Sequence, residues 1–339
     1  EVRQMTWRSI ARGADSLLYF RWRTCRFGAE EYWCGILDHD NVPRRRYAEI
    51  SQIGRELQVV GPAVLGSSVR VECAIAGADL DVLTAERSFH LGLPDDDSYS
   101  PFWQAGYAVG MVHPLDDLSQ VKLYIIPHWA AFDPAWVKVL ERWVAAGGVL
   151  VVGARTATRD RRNQVVAATP PGCLRSLLGV SVDEYGRQNR PEQRQLDLCL
   201  GPAKIRSEHW YEVLSPDAGT TVLATWAGRH LDGKAAITCR AQGKGCAIYV
   251  GAHLTTALTQ ALLPEFVSRS GLKKSLPSAP AGCHVTLREA AGRRLWFIFN
   301  DTDAALDIPG VPAGTDLLTG LATAGSLTLP RYGTAIIRE

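Results

Sequence analysis

GADSLLYFRWRTCRFGAEEYW, residues 13–33, is the stretch on which the reading of this sequence turns. Leu17, Leu18, Tyr19 and Phe20 form a short apolar run behind a Gly-Ala-Asp turn. Such a run predicts a strand buried on both faces of a parallel sheet. Arg21, Trp22 and Arg23 follow at once, then Arg26, Phe27, Gly28, Ala29, Glu30 and Glu31. A strand whose carboxyl end opens into aromatic and charged side chains is where α/β barrels and open α/β sheets place their ligands. Working outward, Val2 to Arg12 carries Val2, Met5, Ile10 and Ala11 at about helical spacing and predicts the helix before this strand. Arg44 to Val60 predicts a second helix, with Tyr47, Ile50, Ile53, Leu57 and Val60 on one face and a stop at Gly61-Pro62. On a barrel wall both apolar faces would be covered, and without one they need another partner.

The pattern of Gly13, Ala14, Asp15, Phe20, Trp22, Arg23, Gly28, Ala29 and Glu30 resembles the end of the catalytic barrel in the glycoside hydrolase family 42 β-galactosidases. The resemblance runs on through Leu37, His39 and Arg46 into Glu49, and more weakly along the rest of the chain. It implies that Phe20 and Glu30 line a sugar subsite. An aromatic face suits the apolar face of a galactose ring, and a carboxylate accepts sugar hydroxyls as charge-assisted hydrogen bonds. Arg23 is the candidate for orienting nearby carboxylates as a bidentate donor. The family carries a sugar-binding His three residues after the Glu, where this sequence has Trp33. Phe20, Arg23, Glu30 and Trp33 are thus the candidate substrate-binding set. Without the resemblance, Glu30 and Glu31 read first as solvated carboxylates on a surface loop, and Glu31 keeps that reading with it.

Retaining glycosidases use two carboxylates about 5 to 5.5 Å apart. The resemblance puts both catalytic glutamates on barrel strands before residue 1, so no catalytic residue is named here. A barrel takes about 250 residues, whereas the barrel-like portion ends near Gly66, and the sequence reads as a fragment of a longer protein.

With 339 residues and 46% hydrophobic content the chain can bury sizeable cores. A formal charge of +2 indicates neither a nucleic-acid nor an anionic-membrane partner. Arg44 to Arg46 and Arg159 to Arg162 read as solvated loops. Eight cysteines lack C-x-x-C or Cys/His ligand spacing, which predicts free thiols in a reducing, cytoplasmic setting. No apolar run reaches the roughly 18 residues of a membrane span, and no signal peptide opens the sequence.

Beyond Ser67, strands alternate with helices. Val69 to Ile75 predicts a strand, Asp79 to Ser100 a polar loop or irregular helix, and Gly110 to Val112 a short strand after a helix end. Val121 to Pro127, a helix over Ala135 to Ala146 started by Asp133-Pro134, and Val149 to Val152 make a parallel β-helix-β unit. Leu174 to Leu178 predicts a short helix and Val180 to Tyr185 an edge strand. Further strands are predicted at Glu208 to Leu214, Thr221 to Ala227, Ala235 to Arg240 and Ala247 to Gly251. A helix over Thr255 to Ser270 closes this region, and short strands from Gly282 to Glu339 suit a small antiparallel β-sandwich.

The expected architecture is the end of a (β/α)8 barrel at 1–66, an α/β domain at 67–272 and a β-sandwich at 273–339. The α/β domain resembles the flavodoxin-like trimerisation domain of the same family, which implies a homotrimer, and in outline a glutamine amidotransferase. The nucleophile position of the latter, at the end of Val149 to Arg155, holds neither Cys nor Ser. His113, His128 and His253 each follow an apolar run but fit no zinc template, so neither metal nor cofactor is expected. Two functions remain in play: the carboxy-terminal part of a retaining β-galactosidase acting on terminal β-D-galactosides, or a non-catalytic oligomerisation or carbohydrate-binding module.

Overall fold

The computed structural model describes residues 2–77, 98–188 and 196–339, which divide into two compact units, 1–70 with 274–339 and 71–273. The predicted loop at Asp79 to Ser100 lies largely outside the described residues. Helix α1 (Val2–Ala11) forms where the apolar spacing placed it, and buries Thr6, Trp7, Ile10 and Ala11. Helix α2 (Arg45–Val64) overruns the expected stop, with Gly61 and Pro62 inside it. A proline nitrogen removes the bond to the carbonyl four residues back. That residue, Gln58, is exposed, so water can serve its carbonyl, while Val60 and Ala63 gain burial by continuing the helix.

Leu17 to Phe20 does not form the expected buried strand. Leu18 is 98% exposed and Phe20 70%. A strand buried in a parallel sheet needs a ladder on both sides, and among the described residues none runs beside this segment. Residues 12–44 are instead irregular, tied by an isolated bridge between Arg23 and Leu37. The expected strand at Val69 to Ile75 is divided: β1 (Ser68–Val69) ends the first segment, and β2 (Cys73–Ala76) belongs to the other unit.

Among the described residues, that second unit is built on a mixed sheet of eleven strands. Around β2 stand α3 (Ser100–Gln104), β3 (Val109–Val112), β4 (Leu123–Ile126), α4 (Val137–Ala145) and β5 (Val149–Gly153). Asp133 caps the turn into α4 by accepting from the Ala135 amide. Helix α5 (Arg175–Leu178), β6 (Val180–Gln188), β7 (Leu196–Leu200), β8 (Ala203–Ser207), β9 (His209–Pro216), β10 (Thr220–Ala227), β11 (Ala235–Gln242), β12 (Gly245–Val250) and α6 (Thr256–Ser270) follow. Strands β3-β2-β4-β5-β12 run parallel, and from β12 the sheet continues antiparallel through β11, β10, β7 and β8. The apolar runs belong to strands covered on both faces. Leu123, Ile125, Val149, Val151, Ile248 and Val250 pack on one side with Leu258, Leu262 and Phe266 of α6. Tyr124, Ile126, Leu150, Val152 and Tyr249 pack on the other with Val137, Leu140 and Val144 of α4. Strand β6 pairs with β9 alone among the described residues and is an edge. At the carboxyl end of β5 the backbones of Gly153 and Pro127 approach so closely that a Cβ on Gly153 would sit 1.6 Å from the Pro127 carbonyl oxygen.

The first unit is completed by β13 (Cys283–Ala290), β14 (Arg293–Asn300), β15 (Leu306–Asp316), β16 (Ala322–Leu329) and β17 (Thr334–Arg338). With β1 they form one antiparallel sheet in the order β1-β13-β14-β17-β15-β16, rather than two separate sheets. Strand β15 meets β17 only at Thr315 and Asp316 and carries register shifts at Pro309/Val311 and Val311/Gly314. Such irregularities bend a strand. Ile308, Val311 and Leu329 thereby share a core with Val285, Ile298 and Ile337, so the sheet supplies both layers of that core. Its opposite face, Leu295, Phe297, Phe299 and Ile336, receives Trp7, Ile10 and Ala11 of α1 and Val60 and Ala63 of α2. The two helices thus find in this sheet the cover that a barrel wall would supply. Among the described residues, no helix is long and apolar enough to cross a membrane.

Candidate functional site

The loop after α1 brings three of the four candidate residues together. Arg21 Nη2 donates to Glu30 Oε2 at 2.6 Å, and its guanidinium lies over the Phe20 ring, 4.7 Å from the centroid. Phe20 and Trp33 meet edge to face with centroids 6.4 Å apart. Two aromatic rings, a guanidinium and a carboxylate therefore share one open surface, with Trp33 58% exposed. Arg23 is elsewhere, its backbone bridged to Leu37. The cation beside Glu30 is Arg21, two residues earlier than the expected one. Side chains alternate along extended backbone, but with no regular strand here, which arginine would reach Glu30 was not readable from spacing.

The loop is held from behind. Buried Thr24 donates through Oγ1 to the Leu37 carbonyl at 3.1 Å and accepts from the Gly35 amide at 2.9 Å. A Cβ at Gly35 would stand 2.7 Å from the Thr24 nitrogen, so a larger residue would force the two backbone segments apart. Below it, Arg44 pairs with Asp40 at 2.6 Å and Arg46 pairs with Asp38. Hydrogen bonds from Arg44 and the Val42 amide hold the Asp40 carboxyl well below the usual range. The Arg44 to Arg46 cluster is thus engaged with carboxylates. His39 Nε2 lies 2.9 Å from the Glu31 carbonyl oxygen.

The unit of residues 71–273 holds a separate polar cluster just beyond the carboxyl ends of β4, β5 and β12. Glu212 is buried and accepts from Tyr249 Oη at 2.7 Å, the Arg155 amide at 3.0 Å and Trp210 Nε1 at 3.1 Å. Burial raises its pKa, and these three donors act against the rise. Arg155 stacks over the Trp210 ring. Sequence reasoning passed over Glu212, although a carboxylate inside the apolar run Trp210-Tyr-Glu-Val-Leu214 marks a buried charge in need of partners. His128 accepts from the Leu254 amide through Nε2 at 2.9 Å, so Nδ1 carries the proton and donates to the Ala154 carbonyl at 3.2 Å. Its ring stacks on His253 at 4.2 Å, and His113 instead packs on Trp136.

Burial first, then the His253 neighbour, push the His128 pKa well below its usual 6.5. A histidine held neutral in the fold contributes stability above the unfolded pKa and loses it as pH falls. Stability is therefore expected to drop below about pH 6.5 with an added slope of up to about 1.4 kcal/mol per pH unit. Urea midpoints between pH 7 and 5 for the native chain and His128→Asn check this, since the variant should lose that part of the slope.

A family model described as "Beta-galactosidase trimerisation domain" matches residues 96–273. Models described as "Beta-galactosidase" and "Beta-galactosidase C-terminal domain" match residues 1–60 and 282–339. Beta-galactosidase BgaB of Geobacillus sp. is 27% identical over 349 residues, covering 100% of this chain and 51% of its own length. The crystal structure of a beta-galactosidase from Bacillus circulans sp. alkalophilus superposes with a TM-score of 0.88 at 22% identity, over 99% of this chain and 51% of that one. A catalytic mutant of Gan42B, a GH42 beta-galactosidase from G. stearothermophilus, gives 0.87 at 23% identity, over 99% and 50%. The chain spans about half the length of the curated relatives it matches.

Proposed function

Because this chain belongs to the glycoside hydrolase family 42 β-galactosidases, we propose that it is the carboxy-terminal portion of a retaining enzyme that hydrolyses terminal β-D-galactosides. The acid/base and nucleophile glutamates then belong to barrel residues that the longer relatives have and these residues do not span. The observation that carries the reading is the open surface on which Phe20, Trp33 and the Arg21–Glu30 ion pair converge. The rings offer an apolar face to a pyranose. Glu30, anchored on one side by Arg21, keeps acceptor capacity for sugar hydroxyls. Trp33 in place of a histidine exchanges a hydrogen bond for stacking area and biases the subsite toward the ring face. Arg23 is assigned a backbone-ordering part in the loop.

The division at 66 and 272 belongs to the same proposal and is supported by the order of the three matching models. So do assembly as a homotrimer, through the segment matched by the trimerisation model, and a cytoplasmic setting, for which the free cysteines among the described residues speak.

The test is hydrolysis of a chromogenic β-galactoside by the 339-residue chain, and by the same chain fused behind the barrel residues of a family 42 relative. Background hydrolysis by the chain and restored hydrolysis by the fusion are expected. In the fusion, Glu30→Gln should lower kcat/KM by about 10- to 100-fold, the worth of a charge-assisted hydrogen bond at about 1.5–3 kcal/mol. Hydrolysis by the unfused chain would overturn the placement of the catalytic pair. An inactive fusion that still sediments as a trimer would favour the non-catalytic assembly module.

A further inference from the structure

Three chain connections beyond the parallel strands meet at one imidazole ring. His128, just after β4, accepts at Nε2 from the Leu254 amide at 2.9 Å and donates from Nδ1 to the Ala154 carbonyl, just after β5, at 3.2 Å. Leu254 and Ala154 are fully buried. Leu254 belongs to the link of residues 251–255 that carries the chain from β12 into α6. Its neighbours complete the junction. Thr255 caps α6 by accepting at Oγ1 from the Leu258 amide at 3.0 Å, and the buried His253 ring stacks on His128 with centroids 4.2 Å apart and planes 15° apart. Only a neutral His128 with the proton on Nδ1 can make both backbone bonds at once.

We propose that His128 is a pH-sensitive latch: protonation at Nε2 breaks its bond to the Leu254 amide and frees the β12–α6 link while the rest of the unit stays folded. A protonated Nε2 is a donor, so it would face the Leu254 N–H donor to donor. Turning the ring over offers no escape, because both nitrogens of the cation donate. Among the described residues, the titratable and charged groups that face the ring are His253 of the link and Arg155 after β5. Next to these, His209 of β9 meets His253 edge to face with centroids 5.5 Å apart, and Glu212 is engaged by Tyr249, Trp210 and the Arg155 amide. The opening is local because both its ends are held. The Gly251 carbonyl accepts from the Glu212 amide at 2.6 Å and its amide donates to Ala236 at 2.8 Å, while Leu258, Leu262 and Phe266 keep α6 on the sheet. Closed, the ring takes its proton only well below 6.5, and burial is the larger cause. Open to water, it takes it at about 6.5. The opening equilibrium is therefore flat above about pH 6.5 and rises up to about tenfold per pH unit below it.

The experiment is amide hydrogen exchange of the whole 339-residue chain between pH 7.5 and pH 5, read peptide by peptide and corrected for the intrinsic pH dependence of exchange. Protection over residues 252–258 is expected to be constant above about pH 6.5 and to fall by about 10-fold between pH 6 and pH 5, while β5 and the second half of α6 keep theirs. His128→Gln, whose side-chain oxygen can accept from the Leu254 amide and does not titrate, should stay protected at both ends of the range. His128→Phe keeps a ring against His253 but offers no acceptor, and should exchange fast at both. Nitrogen-15 shifts of the native His128 ring give a reading that needs no variant: the proton on Nδ1 at pH 7, and a protonation step that coincides with loss of protection at Leu254. Protection over 252–258 that is independent of pH or lost in one step with β5 would overturn the proposal. So would an Nε2-protonated ring at pH 7, or an undiminished pH dependence in a folded His128→Gln chain.

Discussion

Glu212→Ala is expected to cost the unit of residues 71–273 about 3–5 kcal/mol, because truncation strands three buried donors at once. Tyr249 Oη, Trp210 Nε1 and the Arg155 amide all point at the lost carboxylate, and burial leaves no water to replace it. Against a total stability of about 5–15 kcal/mol this is a large fraction. Glu212→Gln should behave differently. Its amide oxygen can accept from Arg155 and Trp210 where Oε1 does now, and its NH2 can donate to the Tyr249 hydroxyl. The sign of the pH effect follows from the raised pKa. Glu212 retains its proton in the fold above the ordinary 4.5, so its contribution to stability declines as pH rises from that value through the folded pKa. The glutamine chain should therefore gain on the native one as pH rises through that window and not below it. Urea unfolding at pH 4 and pH 8 distinguishes these outcomes, and an alanine variant within 1 kcal/mol of native would show that the cluster is solvated and adaptable.

Trp7→Ala is the second large loss, about 3–5 kcal/mol from the unit of residues 1–70 and 274–339. Trp7 is fully buried, packs with Val60, Phe297 and Ile336, and donates through Nε1 to Glu56 Oε2 at 2.9 Å. Removing the indole leaves a cavity between α1 and the sheet that neighbouring backbone cannot fill. Glu56 would keep Arg3, both of whose carboxylate contacts are 2.9 Å, so the loss should come chiefly from packing. Met5→Ala on the same helix, where the side chain is exposed, is the control and should stay within about 0.5 kcal/mol. Equal effects from the two substitutions would mean that α1 is not anchored to the sheet face.

Much of the α/β unit was legible from local pattern. The strands at Leu123–Ile126, Val149–Gly153 and Gly245–Val250 and the helix at Val137–Ala145 appear within a few residues of expectation, since continuous apolar runs and capping residues act over short range. Two strands, Leu196–Leu200 and Ala203–Ser207, went unread, because alternating Asp197 and Cys199 or charged Lys204 and Arg206 weaken the apolar signal of a half-exposed edge. The candidate loop was legible only in part. The motif located Phe20, Glu30 and Trp33, but the chain's own pairing decided that Arg21 reaches Glu30 and that the Arg23 backbone is bridged to Leu37.

By itself the sequence determined the family, the helix and strand types of its long periodic segments, and the neighbourhood of the site, because these depend on residue identity over spans of a few to some twenty residues. Only the tertiary structure decided that Leu18 and Phe20 are exposed, that α1 and α2 are covered by a sheet formed nearly three hundred residues later, and that Glu212 is shared among Arg155, Trp210 and Tyr249. Whether an apolar run is buried, and which donor meets a carboxylate, depends on partners distant in sequence, whose arrival is a property of packing and not of local preference.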